Sequence, residues 1–424
     1  MTVLSLERKK ETWRDEYVWL EAISYFFQGY YMSGLSVYMA VMMAGWRLPL
    51  SAQAVIAAIA FIPGYLKMFT GLLSDRIPVY SWGRRKPYIV LGAALYIPAF
   101  ILMVIIQDFS WFWVAAVGVA FFAWVLVDGT LDALTVDVTP EDKVGAIQGA
   151  ANGARALGFG FAALSVPFLG PKLGWALVIG VIGLFAFLQA VVVLFFRELP
   201  VTRKELQEQL PVKKVFKQTF GHSRSWLVIG FALCVLAPAA IRNVSQTYLM
   251  TTLKWGESEV LLQAYGIVVL VAYLGNFVGA ILVGPILKRG RLEFKTFVWI
   301  TAVAWVGIAS WLLLLVFEPT PLLVGFIQFC FGFGLGLIST SAYAIVMLET
   351  PASIEGFFFA TLTSAMNIGS IGLGPILITR VGEAIGNMIL AFNVTIIFNI
   401  IGLVALFFIL DQPRQAESPE LEPC

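Results

Sequence analysis

Histidine is almost missing from this chain: its 424 residues contain one, His222, in a polar loop. That excludes most histidine-based metal sites and Ser-His-Asp hydrolysis. Cysteine is also scarce. Cys234 and Cys330 lie inside apolar segments and Cys424 is the last residue, so no disulfide framework is expected. Charge is sparse, at 13% Asp, Glu, Lys and Arg, where soluble proteins carry about a quarter. The net charge of +2 gives no electrostatic footprint for nucleic acid. The first residues, through Tyr17, contain no apolar core of the signal-peptide kind. No nucleophile–base constellation and no metal-ligand set stand out, so an enzyme is not expected. The glycines near 332–336 and 369–374 follow no strand and precede no P-loop lysine, so they form no nucleotide loop.

Apolar residues dominate instead, at 59%, with mean hydropathy +0.86. A soluble fold cannot bury that much apolar surface, so lipid is the solvent for much of the chain. Twelve apolar segments are predicted to span a bilayer as helices: 17–45, 51–74, 86–106, 109–138, 142–169, 172–196, 225–251, 257–288, 294–317, 320–349, 353–380 and 384–411. Of the 28 Lys and Arg residues, all but Arg47, Lys67, Arg155, Lys172, Arg242, Lys254 and Arg380 fall on the side of the N-terminus. The positive-inside rule makes that side cytoplasmic and puts both termini there. The short loops suit the inner membrane of a prokaryote.

The chain repeats itself. Thr139-Pro140 recurs as Thr350-Pro351, Gly145 as Gly356 and Gly158 as Gly369, each 211 residues later. Gly71 and Gly284 form a weaker pair near the same offset. Six spans per half make the repeats parallel. The expected organisation is a six-helix bundle over 1–196, a linker over 197–224, a second bundle over 225–412 and a disordered polar tail over 413–424. In the linker, Thr202 and Glu205 have capping-box spacing. Leu206, Leu210, Val215 and Phe216 make an apolar stripe for a helix at the membrane surface.

One polar loop carries a motif. Gly71-Leu-Leu-Ser-Asp75-Arg76 is followed, after the six residues Ile77 to Trp82, by Gly83-Arg84-Arg85-Lys-Pro-Tyr88. Asp75 lies near a helix C-terminus, where the dipole disfavours an anion, and Arg76, Arg84 and Arg85 are at hand to pair with it. Gly71 permits close approach of another helix. Such an ion cluster can act as a conformational latch at the cytoplasmic face. The pattern resembles the loop between the second and third helices of major facilitator superfamily transporters, and its spacer and ending are most like the glycoside–pentoside–hexuronide and sucrose carrier branch. The resemblance implies an all-α membrane fold of two pseudo-symmetric six-helix bundles, acting as a monomer.

Charged residues inside apolar spans are costly and tend to face a partner or a wet cavity. They are Glu21 on span 1, Lys67 on span 2, Asp128 and Asp132 on span 4, Arg155 on span 5 and Arg242 on span 7. Asp128 and Asp132 share a helix face. Counted from the cytoplasmic ends at 1.5 Å per residue, Asp128 lies about 13 Å deep and Arg155 about 20 Å deep, so the two are expected to meet near mid-membrane. A solute engaging the arginine would then change proton affinity at Asp128. A static ion pair between spans 4 and 5 is the plainer expectation. Trp124, one turn before Asp128, offers a flat face for a sugar ring, or else faces lipid. Gln28, Tyr31, Gln148 and Asn152 offer neutral hydrogen bonds, although buried amides also join helices. Lys67 is expected to pair with Asp132 or Glu21. Arg242 follows Pro238, which can break the helix and free carbonyls near a site, and shares a face with Gln246. The slightly favoured alternative is that it snorkels outward, about 25 Å along its helix. Asn276, Gln328, Tyr343 and Asn367 are further pore candidates.

Glycoside carriers of the resembled branch bind sugar through an acid on helix one, an aspartate on helix four and an arginine on helix five. The resemblance therefore implies Glu21, Asp128 and Arg155 as solute ligands, with a sugar or glycoside as substrate. Melibiose carriers also hold sodium with paired aspartates on helix two. Span 2 here carries Lys67 and no acid between Ser51 and Ser74. A proton is thus the expected coupling ion, through Asp128, Asp132 or Glu21, and no other cofactor is expected. Two rivals are a folate or pterin carrier and a non-transporting assembly factor, both similar to facilitators in helix pattern.

Overall fold

The computed structural model describes residues 13–48, 50–77, 83–196, 211–255, 258–286, 293–351 and 354–411. Helices account for nearly all of them. Among the described residues, ten helical stretches are long and apolar enough to cross a membrane. The two remaining predicted spans have specific reasons to fall short of that standard. Span 1, Glu16–Gly45, buries Tyr25, Gln28, Tyr30, Tyr31 and Ser33, so polar groups that serve the interior lower its hydropathy. Span 2 is broken into Leu50–Ala60, Ile62–Tyr65 and Lys67–Arg76. Pro63 stands between the breaks at Phe61 and Leu66, and proline can neither donate to the ladder nor clear the preceding turn.

Spans 3 to 6 are Lys86–Ile105, Trp111–Val138, Val144–Leu173 and Trp175–Val193. Span 7 is also broken, into Ser223–Val235 and Ala239–Thr251, with Pro238 at the start of the second piece. Span 8 is Glu259–Ile286, span 9 is Phe294–Ala309 with a 3-10 extension to Leu315, and span 10 is Pro321–Leu348. Span 11 runs from Glu355 to Ile385 but loosens into a π-helical stretch over Ile368–Leu373. Span 12 is Met388–Ala391 followed by Val394–Asp411.

Two boundaries differ from the sequence expectation. Gly170-Pro171 reads as a loop, yet span 5 continues to Leu173 and ends at Gly174, whose φ is +82°. Span 11 likewise runs past residue 380 to Gly386, which takes the left-handed conformation at φ +68°. In both cases the terminator is the glycine able to adopt positive φ, not the preceding proline or arginine.

Each half has its own apolar core. One gathers Tyr31, Phe100, Trp113, Val166 and Ile182 from spans 1 to 6. The other gathers Phe231, Phe297, Trp311, Phe331 and Leu406, chiefly from spans 7 to 12. The halves meet along two seams, span 5 against span 8 and span 2 against span 11. The glycines of the repeat sit on these seams. A side chain at Gly71 would strike the Gly356 carbonyl, and one at Gly284 would lie 3.6 Å from the Gly145 carbonyl oxygen. Gly356 and Gly145 are repeat partners, as are Gly71 and Gly284, so the two contacts are the same contact repeated in each seam. Gly158 meets the Phe26 carbonyl of span 1, and its counterpart Gly369 meets the Leu233 carbonyl of span 7.

The linker helix covers Val212–Phe220. Phe216 and Phe220 turn inward to the ring of Phe357 on span 11, with centroids 5.1 and 6.3 Å apart. The apolar stripe therefore packs at least partly on protein. Thr202, Glu205, Leu206, Leu210 and the tail over 413–424 lie outside the described residues.

Candidate functional site

The break in span 2 builds the site. Lys67 is the first residue after it and is 2% exposed. Its ammonium contacts Asp128 and Asp132 together, as ion pair and hydrogen bond to each. The remaining oxygens are also taken: Gln28 donates to Asp128 and the Tyr25 hydroxyl donates to Asp132. Lys67 further lies 5.8 Å over the ring of Trp124. Spans 1, 2 and 4 thus share one cluster of two carboxylates and one ammonium. A buried charge is tolerated when its partners leave none of its bonding positions empty.

This cluster forms one wall of a cavity of about 110 Å³ between the two halves. Asn152 and Arg155 face it from span 5, Arg242 from span 7, Asn276 from span 8, Tyr343 from span 10 and Asn367 from span 11. Arg155 donates to the Asn152 side chain. Its guanidinium lies between the rings of Tyr25 and Tyr343, 5.3 Å from each. Arg242 lies over Phe159 and Tyr273, at 5.2 and 5.7 Å. A separate apolar cluster of Ala163, Leu249, Trp255 and Tyr265 joins spans 5, 7 and 8.

Several expectations need correcting. Asp128 does not pair with Arg155; the carboxylate goes to Lys67. Depth along straight helices put both near mid-membrane, but Lys67, directly after the break in span 2, stands between Asp128 and Asp132. Glu21 does not face the cavity. It is 1% exposed, accepts from Thr135 Oγ1 at 2.8 Å, and its Oε2 has no hydrogen-bond partner. Arg242 does not snorkel outward, because the break at Pro238 redirects the second piece of span 7. Tyr31 is also outside the site and accepts from the Tyr96 hydroxyl at 2.8 Å. Gln148 contacts the Met347 sulfur of span 10 at 3.5 Å. Gln28, Trp124, Asp128, Asp132, Asn152 and Arg155 do line one cavity.

The kinked helices hold each other across the halves. A break frees backbone groups that need partners inside a membrane. The Gly64 carbonyl accepts from Asn367 Nδ2 at 3.1 Å, and the Met68 amide donates to Ser364 Oγ at 3.1 Å. Sequence alone gave no hint of Ser364 or of Tyr25. Each is ordinary on its helix and acquires a role only through a distant partner.

The loop motif forms a second cluster, at the end of the seam. Arg85 is 1% exposed. It donates to Asp75 at 2.6 Å and Ser74 at 2.7 Å, and to Asp137 on span 4 at 3.1 Å. Burial opposes its charge, but Asp137 and Asp75 outweigh burial and raise its pKa. Arg84 reaches Asp137 at 3.9 Å. The other oxygen of Asp75 accepts from the Phe357 amide at 2.9 Å, in the first turn of span 11. Orphan amides and the positive end of a helix favour a carboxylate there. Gly71 and Gly356 admit this approach, and Gly83 makes the turn at φ +91°. Arg76 is the last residue of the same helical piece as Asp75. On the other half, Glu349 pairs with Arg224 at 2.8 Å.

The sequence and the fold both match a known family. The model of the major facilitator superfamily matches residues 21–371 and again 243–423. The fold is similar to the human organic anion transporter TETRAN, with TM-score 0.69 at 11% identity, covering 95% of this chain and 99% of that one. It is also similar to the nucleoside transporter NupG, with TM-score 0.65 at 17% identity over 92% and 98% of the two chains. The E. coli fucose:proton symporter FucP aligns with TM-score 0.64 at 11% identity over 93% and 99%. No curated protein sequence matches the chain. The protein is a multi-pass integral membrane protein of two six-helix bundles, and it belongs to the major facilitator superfamily.

Proposed function

We propose that this protein is a proton-coupled symporter of a small polar organic solute, working by alternating access. The observation that carries the proposal is the Lys67–Asp128–Asp132 cluster on the wall of a cavity between the two halves. One ammonium shared by two carboxylates is a competitive arrangement. A proton arriving on either aspartate frees Lys67 to the other, and the change is felt at the break in span 2. That break is bonded to span 11 through Gly64–Asn367 and Met68–Ser364, so protonation biases the contact between halves.

A proton suits this cluster better than sodium. Lys67 occupies the space between the two carboxylates that a metal ion would need. Hydroxyl-bearing solutes suit the remaining wall, which offers Asn152, Asn276 and Asn367 amides beside the Trp124 face. A sugar or sugar derivative is the first class to try. The Asp75 cluster would act as a latch on one side, in a monomer whose termini lie on the cytoplasmic side of the inner membrane. The test is reconstitution in liposomes with a trapped pH dye and a panel of sugars and sugar acids added outside. Solute-dependent acidification, lost in Asp128→Asn, supports symport. Solute entry with no proton movement would overturn it.

A further inference from the structure

We infer that the transported solute is a carboxylate monoanion, gripped between Arg155 of one half and Arg242 of the other. The inference rests on the carrier assignment above and names its substrate class.

Five charged residues line the cavity: Lys67, Arg155, Arg242, Asp128 and Asp132. Lys67 occupies both carboxylates. Among the described residues, neither Arg155 nor Arg242 has a carboxylate within the 4.0 Å of an ion pair. Their guanidinium groups rest on aromatic faces. Such contacts stabilise a cation but leave its in-plane N–H donors unspent. Asn152 takes one bond from Arg155. The other donors are free for a planar, two-oxygen acceptor, which a guanidinium fork fits best.

Position favours a shared ligand. Arg242 lies over Phe159, which is four residues after Arg155 on span 5. Arg242 thus rests against the turn of span 5 that follows Arg155, and both guanidiniums line the same cavity. They come from different halves and repel one another across the cavity. An anion between them removes the repulsion and favours the halves closing around it. Charge selects a monoanion. Three cations and two carboxylates leave one positive charge uncompensated in a low-dielectric space. With both aspartates ionised, a neutral sugar leaves it so and a dianion overshoots.

The experiment is thermal stabilisation of the purified, detergent-solubilised protein by matched pairs that differ at one group. D-Glucuronate is set against D-glucose, lactate against 1,2-propanediol, and 4-hydroxybenzoate against 4-hydroxybenzyl alcohol. At least one carboxylate is expected to raise Tm while its alcohol does not. Arg242→Gln is expected to weaken that binding by about tenfold or more, and Arg242→Lys, which keeps the charge without the fork, by less. Arg155→Gln gives the same test from the other half should Arg242→Gln not fold. An alcohol that stabilises as well as its carboxylate overturns the inference. So does a shift that survives in either folded glutamine variant, or the absence of any carboxylate shift. A neutral solute that drives proton entry would overturn the anion and leave the carrier standing. Carboxylate binding with no flux of solute or proton would do the reverse.

Discussion

Asp75 and Phe357 are joined across the two halves by a hydrogen bond of 2.9 Å, from the backbone amide of one to the carboxylate of the other. The same carboxylate is held by Arg85, so one acid ties the loop motif to the start of span 11. Asp75→Asn keeps the shape but removes the charge from both bonds. Hydrogen bonds to charged groups contribute about 1.5–3 kcal/mol. The closed seam is expected to lose part of that, seen as a slower initial uptake rate with little change in solute affinity.

Gly71 and Gly356 allow that approach. A side chain at Gly356 would run into the Asp75 carboxylate, and one at Gly71 into the Gly356 carbonyl. Gly71→Val is expected to wedge the seam open. Solute binding measured by Tm shift should persist, while transport falls to background. The repeat predicts a milder effect at Gly284→Val, where a Cβ would stand 3.6 Å from the Gly145 oxygen.

Lys67 is the only ammonium available to Asp128 and Asp132 among the described residues. Removing one partner of a buried cluster costs about 3–5 kcal/mol, because the opposite charge is left uncompensated. Lys67→Gln should lower Tm markedly. The double variant Lys67→Gln with Asp132→Asn should recover most of the loss, without recovering coupled transport. A double variant no more stable than the single one would sink the cluster as described.

Glu21 lies apart from the cavity, with Thr135 as partner of one oxygen and none for the other. Glu21→Gln keeps the Thr135 contact and carries no charge. Its Tm is expected to equal or exceed that of the wild type, and solute affinity should not change. A large affinity loss would return Glu21 to the list of solute ligands.

Much of the fold was legible in one dimension. Hydropathy marks the spans, and the glycine offsets of 211 residues mark the repeat. The structure gives those glycines their reason, since they are where helix backbones touch across seams and within halves. The partners in the site were not legible in the same way. Depth in the membrane follows from counting residues, but direction around a helix axis does not survive a kink. Pro63 turns Lys67 into the Asp128–Asp132 face, and Pro238 turns Arg242 into the cavity. Both prolines were visible, and their angular effect was not. Glu21 shows the opposite case. A buried acid on span 1 looks functional by type alone, yet its neighbours are Thr135 and the protein interior.

Coupling of proton to solute through the Lys67-bridged aspartates is read out most simply in Asp132→Asn. Asp132 bonds Lys67 and Tyr25, and the variant leaves Asp128, Arg155 and Arg242 in place on the cavity wall. Proteoliposomes carrying this variant should be assayed twice with whichever solute raises Tm, once for exchange at equal pH and once for uptake against its gradient under an inward proton gradient. Exchange is expected to continue while proton-driven accumulation is lost. Accumulation at the wild-type level would contradict it.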